Sequence, residues 1–123
     1  MTVGIAAASA NSALDTWLDS TFIKLHTGDP GSAGASNASS VTTRPAATFS
    51  AASAGSKSIT TTLPSWASWA GTNGEVVTHV SIWTASSAGT FKGSVALTAS
   101  KTVNTGDTLT LNTLTGTITP IAA

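Results

Sequence analysis

Cysteine is absent from the 123 residues, so no disulfide braces the fold and thiolate chemistry is excluded. Charge is nearly as scarce. Lys24, Arg44, Lys57, Lys92 and Lys101 stand against Asp15, Asp19, Asp29, Glu75 and Asp107, for a formal net charge of zero. Proteins that bind nucleic acid cluster Lys and Arg to displace counterions from phosphates, and nothing here clusters. Attraction to an anionic membrane surface fails for the same reason. No apolar run approaches the roughly 20 residues of a membrane span. Met1–Ala10 mildly imitates a signal peptide, but it lacks a basic residue and its apolar part is short and alanine-rich, so a cleaved leader is not expected. Neither nucleic acid nor membrane is expected among the partners.

Chemical constellations are lacking too. The two histidines, His26 and His79, both fall in predicted strands, and a zinc site wants three or four ligands. No dense acidic loop could surround calcium. Asp29 and Asp107 sit in Gly-containing turns, where Asp serves local backbone hydrogen bonds. There is no G-x-S-x-G elbow. Gly28, Gly31 and Gly34 lack the strand-to-helix transition with Lys-Ser/Thr that a phosphate cradle requires. We therefore expect no catalytic residue, no cofactor, no metal and no enzymatic activity.

What the chain has is hydroxyl. Its 18 serines and 23 threonines make a third of the residues. Thr favours strands and Ser favours turns. A near-neutral domain tends to associate, so the composition suits a protein packed against copies of itself or a secreted β-domain. The length fits one domain, able to bury roughly two-thirds of the surface of its unfolded chain.

Residues 76–100 organise the rest. Val76, Thr78, Val80 and Ile82 alternate with Val77, His79, Ser81 and Trp83, the two-residue period of a strand. Small residues and Gly89 break the run, and a second alternating run from Thr90 completes a hairpin. Other predicted strands are Thr21–Thr27, a broken edge strand around Pro45, Ser58–Leu63, Thr102–Leu111 and Leu114–Thr119. Asn11 or Ser12 is the expected cap of a short helix whose Leu14, Trp17 and Leu18 share a face, which should lie on the domain's own sheet. Six to eight short strands at about ten-residue intervals predict a mainly β fold, an antiparallel β-sandwich or jelly-roll-like domain with a short N-terminal helix. The expected division is an N-terminal arm, 1–10, and one domain, 11–123. No fixed period supports a solenoid. The Ser/Ala/Gly-rich stretch 32–41 reads as a loop able to order on docking.

Of the four tryptophans, Trp83 is expected at the centre of the core. Trp66 and Trp69, three apart, fit a helical turn or a strand corner with both rings inward. If exposed, they would suit a carbohydrate or protein surface. The candidate interface residues are Trp17, Trp66, Trp69, Val3 and Ile5.

Two segments carry a resemblance. One is Leu25-His26-Thr27-Gly28-Asp29-Pro30-Gly31. The other runs from Val77 to Ala85, through Gly89–Gly93 and Ala96–Thr98, to Lys101–Thr108. In order and spacing they resemble a family of small virion proteins of tailed bacteriophages, described as tail-fibre-like or as minor capsid and head-decoration proteins, over roughly residues 11 to 119. The resemblance implies a virion structural protein. Its first implied role is a capsid decoration or minor capsid protein on the capsid exterior. The partners would be copies of itself in a symmetric oligomer such as a trimer, and the major capsid protein. The alternative is a tail-fibre or tail-tip module that contacts tail proteins or a host glycan. The family supplies no catalytic residues to carry over.

Overall fold

The hairpin that dominates the sequence is also the spine of the fold. In a computed structural model, which describes residues 4–18, 21–60 and 63–117, it forms β5 (Glu75–Trp83) and β6 (Phe91–Val103). β1 (Thr21–His26) pairs antiparallel with β5, setting Phe22 opposite Trp83 and His26 opposite His79. β2 (Ala46–Ala47) flanks β1, so the four-stranded order is β2-β1-β5-β6. Pro45 stands just before this edge strand, a position that tolerates a missing N–H.

Two ribbons complete the β structure. β3 (Ser56–Ser58) pairs with β8 (Thr115–Thr117), and β4 (Ser65–Trp66) with β7 (Leu109–Thr110), all antiparallel. The core unites Ile23 and Leu25 of β1 and Val77, Val80 and Ile82 of β5 with Trp66 and Trp69. The fold is mainly β and antiparallel with one short N-terminal helix, as the strand periodicity predicted.

Two departures have clear physical causes. The alternation in β5 does not keep one phase. Val77 pairs with Lys101 and His79 with Ala96, so the four residues 97–100 of β6 stand opposite Thr78 alone. Such a bulge changes which side chains face inward. Val77 is buried before it and Val80 and Ile82 after it, while Val76 is 43% exposed. Trp83, expected at the centre of the core, instead lies half-buried on the opposite face from Ile82.

The helix α1 (Ala7–Trp17) begins four residues before the expected cap at Asn11. Ala6 occupies the N-cap with extended backbone and no side-chain cap bond. Alanine, the strongest helix former, fills positions 7, 8 and 10 and lengthens the helix without a cap. Asn11 is used elsewhere: its Oδ1 accepts the Gly55 N–H at 2.9 Å. Asp15 Oδ1 accepts the Ala52 N–H and the Lys57 ammonium, at 2.9 and 2.7 Å, tying α1 to β3. Ala10, Leu14 and Leu18 are buried, so the helix does lie on its own domain.

Candidate functional site

The outer face of the four-stranded sheet holds the chain's most concentrated polar chemistry. β1 and β5 present His26 and Ser81 to each other, both fully buried. His26 Nδ1 lies 2.9 Å from the Ser36 carbonyl, which can only accept, so Nδ1 carries the proton. Nε2 then accepts from the Ser81 hydroxyl at 2.7 Å, and Ser81 Oγ accepts the Trp83 indole N–H at 2.7 Å. Burial pushes the His26 pKa below its ordinary value, partly offset by the bond to Ser36. A neutral imidazole beside a serine hydroxyl has the atoms of a nucleophile–base pair. Here the hydroxyl is sealed beneath the segment that follows β1, and every bond of the network is satisfied internally. No buried side-chain polar atom among the described residues lacks a partner. The trio reads as a structural pin.

The seal is the Ser/Ala/Gly-rich loop itself. The Thr27 N–H bonds the Asn37 carbonyl, and Asn37 Nδ2 donates to the Asp29 carbonyl. The hydroxyls of Ser39 and Ser40 and the Ser40 N–H all converge on the Glu75 carboxylate at 2.8–3.0 Å. Gly34 sits so close to the Phe91 ring that an added Cβ would lie 2.4 Å from it. Small side chains let this segment lie flat on the sheet. The loop expected to order on docking is thus already ordered by bonds within its own chain.

Trp83 gathers two of the five cations. Arg44 stacks 4.0 Å from its ring centroid and Lys24 stands 5.9 Å away. Arg44 Nη1 donates to the carbonyls of Ala85 and Ala88, fastening the hairpin turn.

A second feature is an open groove of about 430 Å³ at the β6 side of the molecule, between the sheet and the β7 segment. Its lining is mixed: Val80, Val95, Leu97, Trp66, Leu111 and Leu114 supply apolar surface, and Thr98, Lys101 and Asn112 supply polar groups. Val95 is 39% exposed there.

The predicted interface residues do not meet in one place. Trp66 and Trp69 are 4% and 2% exposed, so neither presents a ring to a sugar. They occupy a strand and the corner after it, both rings inward, one of the two arrangements their spacing allowed. Their indole N–H groups bond the carbonyls of Thr43 and Thr72. Trp17 is half-buried, its Nε1 donating to the Lys92 carbonyl at 3.1 Å while its ring lies on Gly93. Ile5 is 36% exposed, and Val3 lies outside the described residues. His26 and His79 are cross-strand partners, yet among the described residues no three His, Asp or Glu side chains converge as metal ligands. The groove lining escaped the sequence reading. The signal was present in the long proline-free run of β6 and the Leu109/Leu111 alternation, but periodicity does not show that two layers part.

A model of the podophage GP4 fiber I protein gp80 family matches residues 7–119. The chain belongs to this family. It is a small structural protein of the tailed-phage virion, in agreement with the resemblance carried by the Leu25–Gly31 and Val77–Thr108 segments. No curated protein matches it.

Proposed function

We propose that the chain is a non-enzymatic subunit of the phage fibre, on the tail side of the particle, acting by holding neighbouring subunits. The carrying observation is the family match across residues 7–119, whose description is of a fibre protein. The architecture supports it. Among the described residues, the one serine–histidine pair with nucleophile–base geometry is buried and fully engaged, and the long strand β6 ends its sheet. A capsid decoration protein would share these traits, stabilising an assembled shell by binding only that state, but the family's description favours the fibre. Recognition of a host glycan through Trp66 or Trp69 has no support, because both rings are buried.

Immunogold labelling and quantitative mass spectrometry of purified virions test the proposal. Label at the tail with a handful of copies per particle is the expected result. Label spread over the head at high copy number would replace it with the decoration role, and turnover of a substrate by purified protein would end the non-enzymatic reading.

A further inference from the structure

β6 is the last strand of its sheet and pairs with β5 alone. Among the described residues, hydrogen bonds to its other side come at the start, where Trp17 Nε1 donates to the Lys92 carbonyl and Lys92 Nζ to the Thr16 carbonyl. From Ser94 to Thr102 the strand is exposed apart from half-buried Leu97. Soluble proteins usually guard such an edge with charge, proline or a strong bulge, because its free N–H and C=O groups invite another strand. Residues 93–100 contain no charge and no proline, and the only guard is the departure from β5 at 97–100. Directly beside this edge the groove opens, lined by Val95, Leu97, Leu111 and Leu114, with Thr98 and Lys101 at its β6 side. The combination of free edge and adjoining, predominantly apolar slot is what strand addition requires: the edge supplies main-chain bonds and the slot receives alternate side chains.

We propose that a second copy of this chain covers the opening, β6 edge against β6 edge, joining the two grooves into a shared apolar seam. The occupant has to be extended, uncharged and small enough for the slot, and β6 itself meets those terms. Charge also permits self-pairing. Around a two-fold axis beside Leu97, Ser94 faces Ser100 of the other copy, Lys92 faces Thr102 and Lys101 faces Gly93, so no like charges stand opposite each other. With a net charge of zero, the copies do not repel as they approach. The inference rests on the reading of the chain as an assembly subunit and adds the surface through which it assembles.

The test uses the full chain. Sedimentation should show wild type as a dimer or larger. Val95→Lys, which puts a charge into the slot at an already exposed position, should sediment as a monomer with an unchanged circular dichroism spectrum. The natural absence of cysteine allows a second arm. The double variant Val95→Cys/Ala99→Cys should give a disulfide-linked dimer on a non-reducing gel, while Ser12→Cys on the exposed side of α1 should not. A wild-type chain that stays monomeric overturns the proposal. So does association that survives Val95→Lys without a disulfide in the double variant. If Val95→Lys unfolds, the cross-link decides. Dimers through β6 found on the head would sink the fibre reading alone; tail labelling with β6 uninvolved would sink this inference alone.

Discussion

Among single residues, His26 has the clearest thermodynamic signature. Its ring is fully buried, bonded on both nitrogens, and held below its ordinary pKa of 6.5, with burial the main cause and Lys24 and His79 adding like-charge repulsion. In the unfolded chain the imidazole protonates near 6.5. Between that value and the depressed folded one, the unfolded state binds more protons, so stability falls as pH drops through this window and is level above it. Protonation would also remove the acceptor that Ser81 needs. Urea unfolding from neutral pH down towards 4.5 should show this decline, and His26→Gln should flatten it, whatever its absolute stability. A wild-type curve with no slope there would mean that the imidazole is hydrated or protonated in the folded chain. The pin has a further consequence for Trp83. Its N–H is committed to Ser81 and one face to Arg44, so it acts as part of the outer face's structure.

At the scale of elements, the segment between β1 and β2 behaves as a lid fixed to the sheet. Its closest approach is Gly34, with φ +69° and the Phe91 ring against it. Gly34→Ala adds both a left-handed backbone penalty and a clash, and should cost about 1–3 kcal/mol. Gly106→Ala, at φ +89° with nothing within 4 Å of the added Cβ, bears the backbone penalty alone. Denaturant midpoints should therefore rank wild type, Gly106→Ala, then Gly34→Ala. Equal losses for the two variants would show that Phe91 swings aside without cost. The same segment marks the limit of what the sequence disclosed. The 76–100 hairpin was legible because period-two alternation is local, and β1 because Thr21–His26 alternates up to the Gly28–Gly31 turn. The cover formed by residues 31–40 was not, because small polar residues carry no hydrophobic signal and their partners, Glu75 and Phe91, are far along the chain. Nor was the bulge opposite Thr78, which sends Val77 and Val80 to the same side against the simple alternation. The helix start is not legible because the alanines at 7, 8 and 10 extend the helix past Asn11, the cap that the spacing predicts. For the candidate site, the Leu109/Leu111 alternation was legible but the groove was not, since it arises where β6 parts from β5.

For the molecule as a whole, the sparse charge decides how assembly should respond to solvent. Ten charged residues sum to zero, and the Lys57–Asp15 ion pair sits at the α1–β3 junction with Lys57 buried and Asp15 half-exposed. Association driven by opposite charges weakens as salt shortens the Debye length to about 10 Å at 0.1 M. The β6 edge offers main-chain groups and an apolar slot instead, and such burial is indifferent to modest sodium chloride but strengthened by sulfate, which is excluded from protein surfaces. The sedimentation-derived dissociation constant should thus stay level from low to physiological sodium chloride and tighten in ammonium sulfate. Val95→Lys should abolish the sulfate response along with the dimer. A constant that weakens steeply with sodium chloride would move the contact away from the uncharged 93–100 stretch and onto the lysines that flank it.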